Sequence, residues 1–166
     1  MGTDNMSEYG EKFKEHLLKQ YELYLIAADK ISDRRASANK YFYTLNSGIL
    51  VSISFLLNSN IQPVLIIPAI LLLTILGIIF SIIFWYLINS YKQLNTGKFK
   101  VVHKMEEQLP MQPYKDEWIE LGEGKNKSKY YPFSQIEKII PIIFGAIYSI
   151  LTLSLVVYLG IKTFCV

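Results

Sequence analysis

Charge is missing from two long stretches of this chain. Residues 41–91 hold no Asp, Glu, Lys, Arg or His, and neither do residues 139–161. A soluble domain typically carries about 25% charged residues, against 19% here. Cysteine is nearly absent. The single Cys165 excludes a disulfide framework and any metal site built on thiolates. Histidine is scarce too, and His16 and His103 lie far apart in sequence. No glycine-rich phosphate loop or nucleophile motif is present. The chain therefore offers catalysis little to stand on, and no catalytic, metal or cofactor residue is expected. The net charge of +3 is too small to mark a nucleic-acid binder, and no binding motif accompanies the lysines.

What fills the charge-free stretches is apolar. Residues 70–88 read ILLLTILGIIFSIIFWYLI. A spanning helix needs roughly 20 mainly apolar residues, so residues 41–91 have room for two and residues 139–161 for a third. Span 1 is expected over about 41–57 and span 2 over about 64–89, joined by the polar turn Asn58–Pro63. Pro63 suits the first turn of the second helix. Trp85, Tyr86 and Tyr91 suit a membrane–water interface. Ionisable residues inside a membrane mark ion pathways and proton relays. None occurs in these spans, which argues against a proton-coupled transporter or pump.

The polar segments divide the rest. Residues 1–40 are charged and do not read as a signal peptide. The first seven look disordered, and a helix is expected from about residue 8 to 57. Leu17, Tyr21, Tyr24, Ala28, Ile31, Ala38 and Phe42 recur in steps of three and four, a heptad seam. Arg35 interrupts it, either pairing with an acid or reaching headgroups, or else making a polar contact between subunits. The chain stays helical through residues 90–109, with Leu94, Val101, Met105 and Leu109 on one face. Pro110 and Pro113 stop it. A short helix over about 114–121 ends at Gly122, and residues 124–129 form a flexible basic loop. Ser134-Gln135-Ile136-Glu137 reads as a capping box before the last helix. His103 and Glu107, four apart on one helix face, read as an ion pair.

Lys and Arg counts in short loops set orientation. Lys30, Arg34, Arg35 and Lys40 precede span 1, and the segment between spans 2 and 3 holds nine lysines from Lys92 to Lys138, while the 58–63 turn has none. Residues 1–40 and 92–138 are thus expected in the cytoplasm and the turn outside. Residues 162–166 form a tail outside if span 3 crosses fully. Lys92, Lys98, Lys100 and Lys104 either mark topology or attract anionic headgroups. Within the spans, Asn46 is expected to seek a neighbouring helix or an axis. Gly48 with Ser52, Gly77 with Ser81 and Gly145 with Ser149 have the small-residue spacing that lets helices approach closely.

The fold expected is therefore an all-α membrane protein. A long N-terminal helix runs into a transmembrane hairpin, followed by a cytoplasmic helical segment and a third transmembrane helix. The apolar seam, on the reading that one chain cannot bury it alone, suggests a homo-oligomer formed through Leu17, Tyr21, Tyr24, Ala28, Ile31 and Arg35. The competing reading is a regulated channel or pore whose lining candidates are Thr44, Asn46, Ser47 and Ser52. A soluble enzyme domain is disfavoured, because 92–138 is too short to bury its own core.

Two segments carry a resemblance. The first is ISDRRASANKYFYTLN, residues 31–46. The second is SYKQLNTGKFKVVH, residues 90–103, running on to Glu106-Glu107-Gln108-Leu109-Pro110 and to Pro113-Tyr114-Lys115-Asp116-Glu117-Trp118. Together they resemble the RipA-like family of small bacterial inner-membrane proteins, from about Tyr21 onward and including the Tyr-Tyr-Pro before span 3. That resemblance implies an octamer with no established enzymatic activity, a general role in bacterial adaptation and survival, and no catalytic residues to assign. The layout is also similar to SLATT membrane domains, which implies pore-forming effectors of bacterial nucleotide-signalling and defence systems. That similarity is architectural only.

Overall fold

The computed structural model describes residues 9–164. The expected disorder of residues 1–7 and the position of Cys165 lie outside them. Among the described residues every regular element is helical: α1 (Phe13–Leu57), α2 (Pro63–Glu106), α3 (Pro113–Glu120), a short 3₁₀ turn (Gly122–Gly124) and α4 (Phe133–Phe164). The long first helix begins later than its pattern suggests, because the chain turns at Gly10 with φ of 80°. Pro68 and Pro141 lie inside α2 and α4 without ending them. At the end of α3, Gly122 takes φ of 73°. That left-handed conformation suits a residue without Cβ and stops the helix where the sequence placed its end.

The chain divides into two units, one of residues 1–34 with 91–132, the other of residues 35–90 with 133–166. In the second unit, Ile49, Ile53, Ile70 and Tyr148 form a buried cluster, with Leu45, Leu73, Phe144 and Leu151 packed against it. Phe42 stacks on Phe84 with ring centroids 4.8 Å apart. Gly77 lets the Tyr148 ring lie directly on α2, since a Cβ there would come within 2.5 Å of the ring. Tyr148 is fully buried and its hydroxyl donates to the Asn46 carbonyl at 2.8 Å. Thr152 donates to Thr74 across α4 and α2 at 2.9 Å.

The outward faces of this unit are apolar as well. Leu72, Ile79 and Ile83 on α2, and Ile143, Ile150 and Leu153 on α4, are all exposed. Soluble monomers rarely show apolar surface on this scale. Two helices, α2 and α4, are long and apolar enough to cross a membrane. The helix carrying the expected span 1 is not one of them. Tyr41, Tyr43, Thr44, Asn46, Ser47, Ser52 and Ser54 dilute its apolar content.

In the first unit the buried residues are Ala28 and Ile31 of α1 and Val102 and Glu106 of α2. The apolar face read from sequence over 94–109 is thus displaced by one position. Leu94 and Val101 are exposed, while Val102 is fully buried.

Candidate functional site

The polar centre of the first unit is Glu106, the last residue of α2. Its carboxylate is fully buried. It accepts from the Tyr21 hydroxyl at 2.9 Å and from the backbone N–H groups of Tyr114 and Lys115 at 3.0 and 3.1 Å. Gln112 at the start of α3 provides no side-chain cap, so the carboxylate that ends the preceding helix fills that role at the positive end of α3. Burial and the neighbouring Glu106 raise the Tyr21 phenol well above its ordinary pKa. Glu107 pairs with Lys115 at 3.6 Å rather than with His103.

His103 instead lines a cavity of about 630 Å3 in the same unit. Its walls are aromatic. Phe99 and Tyr114 lie 5.8 Å apart, and Trp118 and Tyr130 lie 6.5 Å apart in an edge arrangement. Gly124 brings the backbone against the Trp118 ring, where a Cβ would stand 3.1 Å from it. Lys100 and Glu117 add one charge of each sign, and Asn95, Thr96 and Ser32 add polar atoms. Asn95 Oδ1 is buried with no hydrogen-bond partner among the described residues. The basic loop expected to be flexible is held by turns. Asn126 accepts from the Ser128 N–H and hydroxyl, and Lys129 Nζ reaches the Glu120 carbonyl at 3.3 Å. On the exposed turn, the Lys125 ammonium holds the Glu123 carboxyl below its usual pKa.

The second unit holds a charged cluster of its own. Arg35 pairs with Glu137, and Asn39 Nδ2 donates to the same carboxylate at 2.6 Å. Glu137 is nearly fully buried. The pairing removes the capping box expected at 134–137. Ser134 lies inside α4, and Glu137 points to α1 instead of back to the helix start. Of the readings open for Arg35, the structure takes an acid in its own chain, although Arg35 Nε has no partner among the described residues.

Other expectations change once the side chains are placed. The α1 seam is covered within one chain. Ala28 and Ile31 are 4% and 9% exposed, Leu17, Tyr21, Tyr24 and Arg35 are partly buried, Tyr21 bonds Glu106, and Lys98 lies over the Tyr24 ring at 4.9 Å. The seam therefore supplies no argument for a second subunit. Lys98 is engaged there, whereas Lys92, Lys100 and Lys104 are exposed. Asn46 is fully buried, but its Nδ2 donates to Phe42 O at 2.8 Å on its own helix, and Oδ1 lacks a donor among the described residues. This is a return to the backbone four residues earlier on the same helix. Gly77 meets Tyr148 and Gly145 meets Ser81, but Gly48 faces open space and Ser52 is exposed. Among the described residues no group of three His, Cys, Asp or Glu side chains is gathered as a metal set needs.

Sequence reasoning missed Glu106 and the cavity. The cavity draws on residues from Ser32 to Tyr130, which no local period joins. A family model described as the octameric membrane protein family (8xMP) matches residues 18–157. No curated protein and no solved structure matches the chain.

Proposed function

Because the chain belongs to the octameric membrane protein family, we propose that it works as a homo-oligomeric assembly of the bacterial inner membrane without catalytic activity of its own. The match over residues 18–157 carries this reading, since the family's name implies self-association as an octamer. The exposed apolar faces of α2 and α4 support it physically, because lipid or another subunit must cover them. In this reading α1 crosses with α2 and α4. Residues 1–40 and 92–138 lie in the cytoplasm, following the lysine asymmetry. Lys92, Lys100 and Lys104 then meet anionic headgroups.

With the Ala28–Ile31 seam covered inside the chain, subunit contacts move to other faces. Leu18, Leu23 and Ile26 leave large apolar side chains exposed on α1. Gly48 and Ser52 leave an open small-residue face lower on the same helix. Leu23→Glu with Ile26→Glu should reduce the particle mass of the solubilised protein by light scattering, with helical content unchanged. An unchanged mass would place these residues in water. Topology is tested with cysteines at Ser59 and Ser128 in a Cys165→Ser background. An impermeant reagent applied outside should label the first only.

A second reading, a conduit, has one observation in its favour. Thr44, Ser47 and Ser52 are exposed on α1, a polar strip on a helix proposed to span. Their ability to line an axis is tested by flux through liposomes. No leakage at any protein density removes the conduit and leaves the assembly.

A further inference from the structure

We propose that the cavity of the first unit is a binding site for a flat aromatic small molecule carrying an N–H donor and an anionic group. About 630 Å3 is within the range of small-molecule sites, roughly 300–1,000 Å3. Two aromatic pairs, Phe99 with Tyr114 and Trp118 with Tyr130, supply ring faces and edges from separate elements. Such surfaces hold a flat ring by stacking or edge contacts. The charged groups are few and of both signs. Lys100 is the cation, and His103, one turn further along α2, adds a second polar group on the same wall. Glu117 of α3 is the single carboxylate. It has no ion-pair partner among the described residues; its neighbour Lys115 is taken by Glu107. A purely cationic ligand meets Lys100, and a purely anionic one meets Glu117. A molecule with an anion at one end and N–H groups at the other satisfies both.

Two sources share this chemistry. In aromatic amino acids the N–H donor is an ammonium and the anion a carboxylate. In aminopurine nucleotides the donor is an exocyclic amine and the anion a phosphate. The probes are L-tryptophan and adenosine monophosphate, titrated calorimetrically into the intact oligomer in nanodiscs. Nanodiscs leave both membrane faces open, so the result does not depend on the topology proposed above. At least one probe should bind in the micromolar to millimolar range. The one that binds identifies the anion as carboxylate or phosphate. Tryptamine and adenosine, which keep the ring and lose the anion, should bind at least tenfold more weakly. Trp118→Ala should abolish binding. Lys100→Ala, on an exposed side chain that the fold does not need, and Glu117→Gln should each weaken it about tenfold. Failure of both probes at 10 mM overturns the proposal. So do equal affinities for the two controls that lack the anion, or unchanged binding by Lys100→Ala and Glu117→Gln.

Discussion

The two units handle buried polar groups by opposite means. In the first, one carboxylate gathers donors from elsewhere: Glu106 ends α2 and receives Tyr21 from α1 and two backbone groups from α3. In the second, most polar side chains return to their own helix. Ser52 bonds Gly48, Ser81 bonds Gly77, Ser149 bonds Gly145, Ser154 bonds Ile150, and Asn46 bonds Phe42. A helix in hydrocarbon must satisfy its polar groups without water, and self-satisfaction leaves apolar shape to do the packing. The first unit should accordingly be sensitive to single polar changes, and the second to changes of volume. Tyr148 and Thr152 also bond across helices in the second unit, but its charged exception is Arg35 with Glu137 and Asn39.

That exception gives the largest expected effect. Arg35→Met leaves the Glu137 carboxylate buried without its cation. Breaking a buried pair this way costs about 3–5 kcal/mol. The double substitution Arg35→Met with Glu137→Leu should recover most of the loss, because both charges then leave together. Thermal unfolding in detergent measures both. A single substitution that costs less than the double one would show that water already reaches the pair.

Glu106→Leu comes next. It strips the half-buried N–H groups of Tyr114 and Lys115 of their acceptor. Each such group costs about 1–3 kcal/mol when left unmet. Hydrogen exchange should accelerate at residues 113–121 and leave residues 64–89 as they were. Acceleration in both segments would mean that the units do not differ in the way described.

Much of the second unit is legible in sequence, because a charge-free apolar run can fold in few ways. The helices of 41–91 and 139–161 and the turn at Asn58–Pro63 all follow from it. The first unit is harder to read. Its inward face on α2 includes the half-buried Asn95 and the buried Glu106, both polar, while Leu94 and Val101 beside them are exposed. A reader following apolar periodicity steps onto the wrong face by one residue. The α1 seam was visible as a pattern, but a pattern does not name its partner, and the covering residues lie 74 positions after Tyr24, at Lys98, and 85 after Tyr21, at Glu106. The Glu137 capping box failed for a related reason: a short local motif competes with a distant arginine, and the buried charge takes the arginine.

Volume tests the other side of the comparison. Gly77→Ala forces a methyl group to within 2.5 Å of the fully buried Tyr148 ring. Overpacking of this kind costs about 1–3 kcal/mol, and the Tyr148 bond to Asn46 O should break with it. Gly48→Ala meets nothing in its own chain. It should leave helix packing within one chain intact, so any drop in particle mass locates a subunit contact at that face. Equal thermal losses for the two substitutions would erase the distinction between an internal and an open glycine.

The smallest effect tests the polar node by pH. Tyr21 donates to Glu106, and burial together with that carboxylate raises the phenol's pKa above its ordinary value near 10. The unfolded chain releases this proton first as pH rises, so the folded state holds more protons above about pH 10. Stability must then fall with rising pH in that range, and nothing should change between pH 7 and 9 on this account. Tyr21→Phe removes the donor, costs about 1 kcal/mol at neutral pH, and should flatten the alkaline limb. The readout is Trp118 emission in a Trp85→Phe background, which leaves one tryptophan and places it in the first unit. A limb as steep in Tyr21→Phe as in the parent would assign the alkaline loss to the lysines and remove Tyr21 from the account of what holds Glu106.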